Sequence, residues 1–303
     1  MLTFLPAFLL IPLGLLILLT NTVLHCTPLF ILAFVKFLLP LHGVRVFLSR
    51  VLILIAESWI AVNSFTFRLL TRIDWDVQGM NNLAYDGHYL VISNHQSWVD
   101  IPVLQKVFNK EIPFLKFFLK QELIWVPLLG LAWWALDFPF MKRHSKEFLE
   151  KHPEYKGKDL ETTRHACEKF RHVPVSVMNF VEGTRYTDAK REQQQSPFMH
   201  LLKPRAGGVG FVINAMGDTL KSVIDVTIVY PEGRPTFLDL IGGRVHQVRV
   251  HIRELPIPRE LIGGDYENDA EYRKRFQLWI SEIWSDKDAL IERLHATPSP
   301  RNT

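Results

Sequence analysis

Three hydrophobic patterns follow one another along the chain, and each predicts a different kind of element. Residues 1–35 contain no Lys, Arg, Asp or Glu, and the run from Phe4 to Leu24 alone would span roughly 30 Å as a helix. An uncharged stretch of that length is expected in lipid. Pro6, Pro12, Gly14, Asn21 and Pro28 interrupt it, so the pattern is compatible with a straight spanning helix, two short helices or a re-entrant hairpin. It lacks a basic leader and a small-residue cleavage site before Lys36, so it is expected to be retained rather than removed as a signal peptide. Residues 51–70 are also apolar but carry Glu57, Asn63, Ser64 and Arg68, the mark of a half-buried or interfacial helix.

From Ile73 onward the pattern becomes that of a folded domain. The chain therefore divides near residue 70, with membrane-anchoring helices over 1–70 and a domain over 71–303 that closes with an amphipathic helix. Runs rich in β-branched residues predict strands over 89–93, 175–180, 223–230 and 245–253. Helical periodicity fills the gaps at 101–108, 159–171, 209–216 and 272–295. Strands alternate with helices, so the class is α/β. In the last strand Val248, Val250 and Ile252 alternate with Arg249, His251 and Arg253, which predicts one apolar face and one basic face, solvated or turned toward anionic headgroups. A second apolar cluster, residues 124–140, holds Trp125, Trp133 and Trp134, but Pro127, Gly130 and Asp137 argue against a spanning helix. It fits either a buried core helix or a surface that dips into the headgroup region, where tryptophan is favoured.

Charge and composition narrow the partners. A chain of 303 residues with a formal net charge of +4 is long enough for one such domain plus membrane-contacting elements. Its thinly spread basic residues suit an anionic membrane surface better than nucleic acid. Lys36, Arg45, Arg50, Arg68 and Arg72 follow the uncharged run, which places everything after it on the cytoplasmic side. The only cysteines are Cys26 and Cys167, so neither a disulfide framework nor a paired-cysteine metal site is expected.

Candidate chemistry gathers in two places. The segment SNHQSWVDI puts His95 and Asp100 just beyond a predicted strand and into a helix start, where open α/β sheets carry their sites. Ser97 and Asp100 have the spacing of a capping box, so Asp100 can fold back toward His95 and hold the imidazole in one tautomer while its other nitrogen takes a proton. The segment FVEGTR again follows a predicted strand and turns at Gly183. Backbone N–H groups, the Thr184 hydroxyl and the Arg185 guanidinium there suit a phosphate. The plainer alternative is a surface turn in which Glu182 and Arg185 pair.

The two segments together resemble the motif pair of the PlsC-like glycerolipid acyltransferases, an H-x4-D box followed by an EGTR box about 80 residues downstream. FPFMKR (138–143) and VTIVYP (226–231) add matches, and the strings FLKQEL, WALDFPFMKR, HPEYKGKD and NFVEGTR resemble the YihG-type bacterial inner-membrane members. The resemblance implies a single catalytic domain of a mixed β-sheet flanked by helices, preceded by N-terminal membrane helices. It implies that His95 deprotonates the acceptor hydroxyl, that Asp100 orients His95, and that Arg143, Glu182, Gly183, Thr184 and Arg185 form the glycerophosphate site. Lys203, Pro204, Arg205 and Gly207 would add a secondary phosphate contact, and the tryptophan cluster could line an acyl-chain channel. The implied reaction joins an acyl group from acyl-CoA or acyl carrier protein to lysophosphatidic acid at a bacterial inner membrane, on its cytoplasmic face, with no metal and no cofactor beyond the donor. Two positions depart from the commoner pattern: Val181 stands where many members have proline, and FPFMKR lacks the isoleucine and aspartate before its arginine.

Overall fold

The computed structural model describes residues 2, 4–81, 83–141, 167–168, 170, 173–266 and 268–296. The uncharged run is one helix, α1 (Ala7–Leu38), with Pro12 and Pro28 inside it, and α2 (His42–Leu70) packs against it as a hairpin. Each proline removes only one N–H from the helical ladder. Polar bonds across the apolar hairpin fix its register. Asn21 Nδ2 donates to Asn63 Oδ1 at 2.8 Å and to the Trp59 carbonyl at 3.1 Å, and Trp59 Nε1 donates to Thr22 Oγ1 at 3.1 Å.

Among the described residues the other strands and α-helices are β1 (Asp74–Gln78), β2 (Tyr89–Ser93), α3 (Asp100–Phe108), β3 (Leu115–Phe117), β4 (Leu119–Lys120), α4 (Leu129–Ala135), β5 (Phe140–Met141), β6 (Ser176–Phe180), α5 (Asp188–Gln193), α6 (Gly207–Met216), β7 (Ser222–Val229), α7 (Phe237–Ile241), β8 (Gln247–Leu255) and α8 (Ala270–Ala296). Six strands form one mixed sheet in the order β1-β8-β7-β2-β6-β3, with β4 and β5 as a separate pair. Neighbouring strands are parallel except β7 and β8. The predicted class is therefore the observed one, and the four predicted strands are β2, β6, β7 and β8. The predicted helix over 159–171 lies largely outside the described residues.

The sheet has a core on each face, and the alternation of β7 shows which is which. Ile224, Val226 and Ile228 join the core shared with α1, α2 and α3, whereas Val223 and Val229 join the core shared with α6 and α8. All eight residues of β7 are buried, as expected of a strand covered on both faces. The α1–α2 hairpin is thus a layer of the domain. Near its start α1 packs on α7, and further along on α4; Lys36 pairs with Asp137 at 2.7 Å just beyond α4.

Two expectations are corrected. The basic face of β8 is not solvated: Arg249 is buried and donates to the Leu294 carbonyl near the end of α8, and Arg253 pairs with Asp225 at 2.7 Å and Asp286 at 3.3 Å. An amphipathic helix covers this face and supplies acceptors for its cations, which a strand read alone does not reveal. The tryptophan cluster is neither wholly core nor wholly surface. Ala132, Ala135, Leu136 and Phe138 are buried while Trp125 is 85% exposed and Trp134 50%.

Candidate active site

Parallel pairing brings the site together. Ser93 at the end of β2 lies opposite Phe180 on one side and Val226 on the other, so the chain leaves β2, β6 and β7 at the same sheet edge. Because β7 continues three residues further, Asn94 finds a strand still beside it. Its side-chain amide donates to the Ile228 carbonyl and accepts from the Ile228 N–H, both at 2.9 Å. The buried amide thereby extends the ladder by one rung and fixes where His95 begins.

His95 Nδ1 lies 2.8 Å from Asp100 Oδ2. The same oxygen accepts the N–H groups of Gln96 at 2.6 Å and Ser97 at 2.9 Å, while Oδ1 accepts the Tyr230 hydroxyl at 2.7 Å. Asp100 is fully buried and the His95 side chain 15% exposed. Four donors converge on one carboxylate, so Nδ1 carries the proton and Nε2 is left with a lone pair. The imidazole also stacks on Phe180, with centroids 3.9 Å apart. The capping box forms only by half: Asp100 folds back onto Ser97 N–H, but Ser97 Oγ accepts from Val99 N at 3.0 Å and donates to the Pro235 carbonyl. The Ser97 hydroxyl thus links the start of its own helix to the loop after β7.

The second motif is joined to the first through the peptide groups of His95. Glu182 Oε1 accepts the His95 N–H at 2.8 Å, and Tyr186 N–H donates to the His95 carbonyl at 2.7 Å. Glu182 Oε2 accepts the Leu202 N–H at 2.9 Å. Both oxygens of this fully buried carboxylate are thus taken by the main chain, which makes Glu182 a brace between loops and separates it from Arg185. Burial pushes its carboxyl up to about 7, against the lowering effect of those two N–H groups. Gly183 has φ +68°, a left-handed conformation open to glycine at no steric cost. Its N–H donates to the Phe180 carbonyl at 2.8 Å, which closes the turn.

Beyond that turn the loop is cationic and faces solvent. Exposed Arg185 lies over the Trp98 ring, 4.6 Å from its centroid, and Lys190 Nζ donates to Thr184 Oγ1 at 2.8 Å and the Arg185 carbonyl at 2.9 Å. The turn holding Lys203 and Arg205 lies alongside, because Arg205 N–H donates to the Val181 carbonyl at 2.7 Å. Arg143 lies outside the described residues. His95, Asp100, Glu182, Gly183, Thr184 and Arg185 are therefore gathered at one edge, where an imidazole with a free nitrogen stands beside a cationic loop. Sequence reasoning passed over Asn94, Trp98 and Tyr230, although all three stand within the motif strings.

The sequence profile of the acyltransferase family matches residues 74–231, a span that contains both loops. The chain belongs to the acyltransferase family. Among its relatives within that group, mouse 1-acyl-sn-glycerol-3-phosphate acyltransferase gamma is 24% identical over 218 residues, covering 68% of this chain and 53% of the relative. The human delta enzyme of the same name is 22% identical over 193 residues, 60% of this chain and 46% of its own. The chain thus spans about half the length of the relatives it matches. The crystal structure of the 1-acyl-sn-glycerophosphate acyltransferase PlsC from Thermotoga maritima shares the fold of this family member, with a TM-score of 0.53 at 18% identity, covering 94% of this chain and 98% of that one.

Proposed function

We propose that this acyltransferase-family chain moves a fatty acyl group from acyl-CoA or acyl carrier protein to the sn-2 hydroxyl of lysophosphatidic acid at a membrane surface. The observation that carries the reading is the double tie at His95, which holds an imidazole with a free Nε2 against a cationic loop. In this reaction Nε2 takes the acceptor's proton as its oxygen attacks the thioester carbon. The C–S bond then breaks, and the imidazolium returns the proton to the departing thiolate. Asp100 keeps Nδ1 protonated throughout. Arg185, placed over Trp98, supplies two N–H donors for the acceptor phosphate, and Lys190 and Arg205 add charge around it. The activity for which these relatives are named, acylation of 1-acyl-sn-glycerol-3-phosphate, fits this chemistry.

Attachment to the membrane belongs to the same proposal. Two helices, Ala7–Leu38 and His42–Leu70, are long and apolar enough to cross a bilayer, yet both also lie against the domain. Phe8, Leu16, Leu19, Leu24, Phe34 and Phe37 point outward from α1, so the hairpin presents an apolar flank while its inner side completes the core. The bilayer in question is the inner membrane of a bacterium, with the site on the cytoplasmic face.

The test is to incubate protein in phospholipid vesicles with labelled acyl-CoA or acyl carrier protein and a panel of lysophospholipids, then identify products by mass. Phosphatidic acid from lysophosphatidic acid is expected. Preferential acylation of another lysophospholipid would reassign the acceptor, and binding without any transfer would make the chain a lipid-binding regulator.

A further inference from the structure

We infer that Tyr230 is a positioning residue of the reaction, a third member of a His95–Asp100–Tyr230 relay that sets the basicity of His95. This rests on the proposal that His95 is the base.

Even-numbered residues of β7 face the core beneath α2 and α3, and Tyr230 continues that alternation one step past the last strand residue. Its ring is buried, and its hydroxyl reaches Asp100 Oδ1 at 2.7 Å. The phenol stays a donor, since burial, and then the negative charge of Asp100, hold its pKa well above the ordinary value. Without it, one oxygen of a fully buried carboxylate would have no donor among the contacts described, an arrangement that is costly for a charge.

The hydroxyl also governs electron density. His95, Gln96 and Ser97 all bond Oδ2, so Tyr230 alone draws charge toward Oδ1. A carboxylate satisfied at Oδ1 stabilises the imidazolium less than one that is not. Removing the hydroxyl should therefore raise the affinity of His95 for a proton, and a stronger donor there should lower it. The other ionisable groups near the relay are Glu182, whose carboxylate holds the His95 N–H, Arg185 on the neighbouring loop, and Lys287 behind β7. None of them bonds Asp100 Oδ1. A second link, from Ser97 Oγ to the Pro235 carbonyl, ties the same two loops together, so the relay stays aligned when the phenol is altered.

The experiment follows the His95 imidazole by NMR in the full chain with labelled histidine, its signal assigned as the one lost in His95→Gln. Titrations are compared for wild type, Tyr230→Phe and a variant carrying 3-fluorotyrosine at 230, a more acidic phenol. Tyr230→Phe should move the His95 midpoint up by about half to one pH unit and the fluorinated variant should move it down. The acid limb of kcat/KM should shift with it while the KM for the lysophospholipid holds. Midpoints unmoved in both variants would overturn the inference and leave Tyr230 as core packing. If Tyr230→Phe fails to fold, the fluorinated variant decides alone. Should no lysophospholipid be acylated even by wild type, the proposed function fails, and the titration still reads the relay.

Discussion

Two buried carboxylates on opposite faces of the sheet show what makes a charged cluster a site. Asp100, beside the end of β7, gathers His95 Nδ1, two backbone N–H groups and the Tyr230 hydroxyl. Asp225, in the middle of β7 on the opposite face, gathers Lys287 at 2.6 Å and Arg253 at 2.7 Å. Both carboxylates are fully buried. The difference lies in their partners: His95 keeps a second ring nitrogen and some exposure, whereas Lys287 is fully buried and spends its remaining protons on the Val226 carbonyl at 2.5 Å and Thr227 Oγ1 at 3.2 Å. A carboxylate whose partner is used up is structure; one whose partner has an atom left over can do chemistry.

The largest expected effect breaks the comparison on the side of chemistry. His95→Ala should lower kcat by about a hundred- to ten-thousandfold, the usual range for losing a general base. The melting temperature should change little, because Asp100 keeps three of its four donors. The complementary change is Asp225→Ala, which leaves Lys287 buried without its counter-charge and should cost about 3–5 kcal/mol of stability, read by denaturant unfolding in detergent. The folded fraction should keep wild-type KM values. Adding Lys287→Met to Asp225→Ala should restore most of the loss, since an apolar side chain of similar length removes the orphaned charge. Failure of that rescue would mean that the cluster does more than neutralise itself.

How much of this was legible beforehand depended on whether the deciding contact was local. Asp100 folding back on His95 is a five-residue affair, and the S-x-x-D spacing announces it. Gly183 and Arg185 are equally local, since a turn and a fork can be read in four letters. The family resemblance implies a place for Glu182 in the phosphate site. Its two oxygens accept from His95 and Leu202, 87 residues upstream and 20 downstream, and no string shows which N–H groups will lack a partner. Tyr230 and Asn94 escaped for the same reason, since each bonds across more than 100 residues. The strands β1 and β3 were missed because DWDVQ is too charged, and LKF too short, to look like strand. Arg249 and Arg253 misled in the other direction: alternation predicts which residues share a face, while solvation depends on whether a helix such as α8 covers it.

A smaller effect sharpens the comparison through pH. Glu182 is ordinarily half-protonated at 4.5 but is pushed up to about 7 by burial. Between those values the unfolded chain has lost this proton while the native chain holds it, so the native state binds more protons and its stability falls as pH rises. At 1.36 kcal/mol per pH unit the whole change is about 3 kcal/mol, present below pH 4.5 and lost as pH passes through about 7. Unfolding measured across that window should show the slope in wild type and its loss in Glu182→Gln. That variant should also start from lower stability, because its amide NH2 would face one of the two N–H groups.

The cationic loop is tested by Arg185→Lys, which keeps the charge and loses the fork. The KM for lysophosphatidic acid should rise with about a ten- to hundredfold fall in kcat/KM, the worth of a hydrogen bond to a charged group. The KM for acyl-CoA should hold. If the donor KM moves instead, the loop grips the donor.

Trp98 should give the smallest effect and the most specific one. It lies inside the H-x4-D box, between His95 and Asp100, yet its exposed ring lies under the guanidinium of the other motif. A cation over an exposed indole is worth about 0.5–1 kcal/mol, so Trp98→Leu should raise the acceptor KM by about two- to fivefold. The cycle with Arg185→Lys separates the reasons. If Trp98 acts by holding the guanidinium plane, removing it from the Arg185→Lys protein should add almost nothing, because an ammonium has no plane to hold. If Trp98 instead meets lipid at the mouth of the site, the two losses should add and appear for every lysophospholipid alike. Additive losses would mean that the two motifs communicate only through the main chain at His95, and not through this stack.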